Sequence, residues 1–152
     1  TLPLPLASEE QVLAYQQPVE EQLPADLKGR RILLAEDNDL NAEIAMTLLQ
    51  ENGLEVERAA DGLLCVAALQ NHPADYYDAI LMDIQMPHMN GYQAAQTIRS
   101  LRDPRRNIPI IAMTANAFDE DCQKALEVGM NEHLAKPIDL DALFKTLERV
   151  LK

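Results

Sequence analysis

The sequence predicts an α/β sandwich, doubly wound about a five-stranded parallel sheet, and three observations carry that expectation. Five short apolar runs have strand length: Ile32 to Ala35, Leu54 to Arg58, Ala79 to Met82, Ile108 to Met113 and His133 to Ala135. Between them lie longer amphipathic stretches whose apolar residues recur about every 3.6 positions, such as Ile44, Leu48 and Leu49, then Leu63, Val66, Ala67 and Leu69. The punctuation agrees. Asp61 and Asp139 stand where helices should start, Asn90 with Gln93 has capping-box spacing, and Gly53 and Gly129 stand where helices should stop. The last helix is expected over roughly Leu140 to Leu151. Crossovers of this length make neighbouring strands parallel, and runs without polar alternation suit strands covered on both faces.

The chain has 152 residues, enough for one domain and a tail. It opens at Thr1 rather than Met, which reads as a piece of a longer protein. Residues 1–28 contain Pro3, Pro5, Pro18 and Pro24 and carry a net charge of −4, so they read as an acidic linker, with residues 29–152 as the folded domain. Within the linker, Ser8 to Gln17 has the spacing for a short helix. The whole chain has a net charge of −12, which disfavours nucleic acid and anionic membrane as partners. No apolar run approaches the roughly 20 residues of a membrane span and no signal segment opens the chain, so a cytoplasmic location is expected. Cys65 and Cys122 lack any metal-binding or redox spacing and read as reduced, packed thiols.

In a doubly wound sheet, ligands bind beyond the carboxyl ends of the strands, where the winding reverses. The residues at those ends are Glu36 and Asp37 after the first run, Asp83 after the third, Thr114 after the fourth and Lys136 after the fifth. A single acid there is most often a helix cap or a solvated loop charge. Three converging acids are different, because unit charges about 4 Å apart repel by roughly 4 kcal/mol at an effective dielectric of 20. Lys136 offsets only part of that charge, so a divalent cation is expected. Hard oxygen ligands favour Mg²⁺, and Mn²⁺ would serve.

These residues resemble the receiver domains of two-component response regulators over Arg31 to Lys152. Leu34-Ala35-Glu36-Asp37-Asn38 resembles the family's acidic pair and Leu81-Met82-Asp83-Ile84-Gln85-Met86-Pro87 its phosphoacceptor loop. Ala112-Met113-Thr114-Ala115 resembles its hydroxyl site and Lys136-Pro137 its lysine motif. The resemblance implies the flavodoxin-like (βα)5 fold with strand order 2-1-3-4-5. It implies that Asp83 accepts a phosphoryl group from a histidine kinase or histidine phosphotransfer domain. Mg²⁺ would be held by Asp37, Asp83 and the backbone carbonyl of Gln85, with Glu36 acting through a coordinated water. Lys136 and Thr114 would bind phosphoryl oxygens, small Ala115 would leave room for the group, and Asn116 with Gln85 would set its lifetime. Thr114 and His133 would form the switch, with His133 where relatives often carry Tyr or Phe. The Lys136–Pro137 bond would be cis.

Glu36-Asp37-Asn38-Asp39-Leu40-Asn41 resembles the E-D-N-x-x-N opening of receivers attached to hybrid histidine kinases. With no output domain after the last helix, the C-terminal receiver of such a kinase is the expected origin, in a parent chain that could be membrane-anchored. A stand-alone response regulator is an alternative. Simple capping also accounts for Asn38 and Asn41. Met82, Met86, Met89, Met113, Tyr92 and Phe118 read as packing residues, and His72 and His88 as loop residues. The enzyme alternative is a Mg²⁺-dependent phosphatase or phosphotransferase of haloacid dehalogenase type. That family has a second Asp where this chain has Gln85. The five glycines form no nucleotide-binding loop, and possession of all the site residues argues against a degenerate docking module.

Overall fold

Five strands form one sheet in the order β2-β1-β3-β4-β5, every neighbouring pair parallel. The strands are β1 (Arg31–Ala35), β2 (Glu55–Ala59), β3 (Ala79–Asp83), β4 (Ile110–Thr114) and β5 (Glu132–Ala135). The connecting helices are α1 (Asp39–Glu51), α2 (Gly62–Gln70), α3 (Gly91–Arg99) and α4 (Asp119–Glu127), with α5 (Leu140–Leu151) closing the chain. A 3₁₀ turn over Pro104–Asn107, which periodicity does not foretell, leads into β4. This computed structural model describes residues 27–114, 119–136 and 139–151. The Ser8–Gln17 helix, the Lys136–Pro137 bond, Ala115, Asn116, Phe118 and the Cys122 side chain lie outside that description.

Period-two alternation sends each strand's side chains to opposite faces, and the core divides accordingly. Leu33, Ile80, Met82 and Ile110 pack with Cys65, Val66 and Leu69 of α2 and Ala94 and Ile98 of α3. Ile32, Leu34, Leu81 and Ile111 pack with Leu49 of α1 and Leu143, Phe144 and Leu147 of α5. Helices thus cover both faces, and β3 and β4 are buried along their whole length. Polar alternation survives only toward the edges: β2 exposes Glu55, and β5 exposes His133 and Ala135. Leu27, just before β1, is fully buried in the second cluster.

Local signals behave as the sequence suggests. Asn38, Asp61 and Asn90 cap α1, α2 and α3, and Asn90 with Gln93 makes a reciprocal capping box. Gly53 and Gly129 adopt φ of +96° and +99° after their helices, a conformation that other residues reach at a cost. Ile44 and Leu63 differ from the apolar faces expected of them, each being 50% exposed. In α1 the buried positions are Ala42 and Leu49, and Ile44 lies about 200° around the helix from Ala42. In α2 almost every residue is apolar, so periodicity alone does not choose the buried face.

Candidate functional site

β1 and β3 lie side by side with Ala35 opposite Met82, while their following helices leave on opposite faces. The crevice this creates is an open cleft of about 860 Å³ at the carboxyl ends of the strands. Glu36, Asp37, Asp83, Gln85, Thr114 and Lys136 all line it. Asp83 and Thr114 are the last residues of β3 and β4 rather than the first loop residues, and both are 5% exposed. Glu36 is 3% exposed, and Asp37 is exposed.

One carboxylate oxygen from each of Glu36, Asp37 and Asp83 falls within 4.8 Å of the others. Lys136 Nζ lies 3.1 Å from Glu36 Oε1 and 3.0 Å from Asp83 Oδ2, bridging two of the three. Burial pushes the Glu36 carboxyl above its ordinary range; neighbouring Asp83 adds to this and Lys136 opposes it. Burial works to lower the Lys136 ammonium, but Asp83 and then Glu36 outweigh it and hold the group above its usual value. With one oxygen from each acid within 4.8 Å of the others, their hard oxygens fit a small divalent cation.

Backbone contacts fix this geometry. Glu36 N–H donates to the Ala59 carbonyl at 3.0 Å, Ile84 N–H to Met113 at 3.1 Å, and Lys136 N–H to Thr114 at 2.8 Å. Asp83 Oδ1 accepts from Gln85 N–H at 3.2 Å. A side chain at Gly91 would put its Cβ 2.5 Å from the Asp83 carbonyl, so glycine is required where α3 passes the loop. Arg58, which sequence reading passed over as part of a strand, braces the acidic loop: its Nε donates to the Glu36 carbonyl at 3.0 Å and Nη1 pairs with Asp39 at 2.8 Å. Lys124 of α4 was also missed. It lines the cleft with its ammonium 4.6 Å from the centre of the Tyr92 ring, and only the docking of α4 beside α3 brings the two together. His133 of β5, paired with Ala112 of β4, is exposed and is not among the residues lining the cleft.

Among solved structures, the chain is similar to the receiver domain of sensor histidine kinase PA1611 from Pseudomonas aeruginosa, whose structure has a magnesium ion coordinated in its active-site cleft. The TM-score is 0.73 at 40% identity, covering 81% of this chain and 98% of that one. It also matches chemotaxis protein CheY4 of Vibrio cholerae at TM-score 0.73 and 32% identity, covering 81% of this chain and 99% of the other. Among curated proteins it is 40% identical over 122 residues to hybrid signal transduction histidine kinase L of Dictyostelium discoideum, and 37% identical over 117 residues to sensor protein GacS of Pseudomonas syringae. Those matches take in 78% and 76% of this chain but only 7% and 13% of the relatives. Among the described residues, no helix is long and apolar enough to cross a membrane. Residues 32–148 match the family described as the response regulator receiver domain, and with the strand order and strand-end residues in agreement, this chain belongs to the receiver domains of two-component systems.

Proposed function

We propose that this domain accepts a phosphoryl group on Asp83 from a phosphohistidine of a histidine kinase or histidine phosphotransfer domain, in the cytoplasm. The observation that carries the reading is the pairing of buried Asp83 with Lys136 at 3.0 Å inside a cluster of three acids. An Asp83 oxygen attacks phosphorus, the P–N bond to the donor imidazole breaks, and the bonding electrons stay with the imidazole. Asp37, Asp83 and the Gln85 carbonyl would hold Mg²⁺, with Glu36 reaching it through water. When bound, the metal withdraws charge from the transferring oxygens. Lys136 pairs with one phosphoryl oxygen and Thr114 donates a hydrogen bond to another. Drawing Thr114 inward would vacate space, which His133 would fill, altering the surface of the fourth and fifth βα units. Matches to hybrid signal transduction histidine kinases support a parent chain of that type.

Intact-mass measurement after incubation with acetyl phosphate and Mg²⁺ tests the assignment. One phosphate should be added to the parent chain and none to Asp83→Asn. Undiminished labelling of Asp83→Asn would overturn it.

A further inference from the structure

The segment from Ile84 to Asn90 joins β3 to α3 without regular secondary structure. It follows directly on Asp83 and includes Gln85, whose N–H donates to Asp83 Oδ1. Its two ends are fastened by Ile84 N–H to the Met113 carbonyl and by Gly91 N–H to the Ile84 carbonyl at 2.8 Å. Its far part is fastened by a different element, the turn from β2 into α2.

At that turn Gly62 N–H donates to the Met89 carbonyl at 3.0 Å, and a Cβ on Gly62 would fall on that same oxygen. The two backbones meet because residue 62 lacks a side chain. Asp61 beside it is 8% exposed and uses both carboxylate oxygens. Oδ1 accepts from Leu64 N–H at 2.8 Å as the cap of α2, and Oδ2 lies 3.0 Å from His88 Nδ1. An ionised carboxylate can only accept, so Nδ1 carries the proton.

His88 is also the one non-glycine with positive φ among the described residues, at +66°. Histidine tolerates this region better than most side chains, yet the conformation persists only where surroundings enforce it. The His88 side chain is 68% exposed, and the contacts beside its backbone reversal are its hydrogen bond to Asp61 and the tight turn in which Met89 N–H donates to the Pro87 carbonyl at 2.6 Å. The capping acid of α2 thereby reaches out of its own helix to hold a backbone reversal three residues beyond Gln85.

We propose that Asp61 and His88 form a clasp that holds the Asp83 loop in its reactive geometry, making His88 a positioning residue for phosphoryl transfer. The inference rests on the reading of Asp83 as phosphoacceptor. Releasing the clasp lets residues 85–88 drift, and with them the Gln85 N–H on Asp83 and the Gln85 carbonyl.

Three variants of the full chain separate the clasp from folding. His88→Gly removes the donor and relaxes the positive φ, so its melting temperature should not fall. Asp61→Ser keeps a capping hydroxyl for α2 but loses the oxygen that reaches His88. His88→Asn retains an amide nitrogen where Nδ1 stands and tolerates the left-handed backbone. With acetyl phosphate and Mg²⁺, His88→Gly and Asp61→Ser should label about fivefold more slowly, since misplacement of an ångström costs up to roughly a hundredfold. His88→Asn should recover a rate within about twofold of the parent. Parental labelling by His88→Gly, or labelling by His88→Asn as slow as that of His88→Gly, would overturn the clasp while leaving Asp83 as the acceptor. A parent chain that takes no phosphate would overturn the Asp83 reading and this role together.

Discussion

The two ends of the sheet are built on opposite electrostatic plans. At the amino ends of the strands, charges meet their complements. Arg31 pairs with Glu55 at 2.7 Å, its backbone N–H donates to Asp78 at 2.8 Å, and its guanidinium lies over the Tyr76 ring. Glu57 accepts hydroxyl hydrogen bonds from Tyr76 and Tyr77, each at 2.7 Å. Arg99 donates to the carbonyls of Gly129, Arg106 and Ile108 and to the Asn131 side chain, tying α3 to the segments that enter β4 and β5. At the carboxyl ends, three acids cluster and Lys136 bridges two of them, Glu36 and Asp83. The first end stabilises the fold; the second keeps a surplus of negative charge ready for a cation. Most residues that set the functional loops lie in the second, where Glu36, Asp37 and Asp83 each bring a carboxylate oxygen within 4.8 Å of the others.

The largest expected effect comes from deepening that imbalance. Lys136→Ala should slow labelling by acetyl phosphate roughly a hundredfold, the scale of removing one group that stabilises developing charge. Undiminished labelling would mean that Lys136 only balances charge in the unphosphorylated domain. Breaking the opposite end should have the reverse profile. Arg99→Ala leaves several carbonyls without their donor and should cost about 3 kcal/mol of stability by denaturant unfolding. Mg²⁺ affinity and labelling rate, measured on the folded variant, should stay within about twofold. A large loss of labelling would show that the two ends are coupled.

The smallest effect has opposite signs at the two ends. The Tyr77 hydroxyl, then Tyr76, holds the Glu57 carboxyl below its ordinary range against the opposing effect of burial. A depressed carboxyl stabilises the fold above its unfolded value of about 4.3, and that contribution disappears as pH falls through the folded value. Glu57 is 41% exposed, so screening keeps the effect small. Glu57→Gln should lower stability by about 1 kcal/mol at neutral pH, with the gap closing under acid. Glu36 runs the other way. Burial, reinforced by Asp83, raises its carboxyl, so ionisation at neutral pH costs stability that returns as pH falls. Without divalent metal, Glu36→Gln should raise stability at pH 7, with the gain shrinking as pH falls, while weakening Mg²⁺ binding. Denaturation midpoints across pH for both variants check the two signs.

Much of the fold was legible because its signals are local. Strand runs, Asn and Asp caps, and glycines after helices depend on neighbours a few residues away, and all five strands fell within two residues of expectation. The acids, Thr114 and Lys136 were legible for a related reason: a parallel sheet delivers every strand's carboxyl end to one edge, so position along each run is enough to collect them. Contacts between segments distant in sequence were not legible. Arg58 reaches the Glu36 loop from a neighbouring strand, Lys124 reaches Tyr92 from another helix, and Asp61 reaches His88 across 27 positions. The outward turn of Ile44 and Leu63 and the burial of Leu27 likewise depend on which helix face the packed sheet covers. The amino-acid sequence determined the elements and the chemistry at their ends, because propensity, capping and charge act at short range. Tertiary structure alone decided which side chains brace that chemistry, because hydrogen-bond partners separated by tens of residues exist only once the chain has packed.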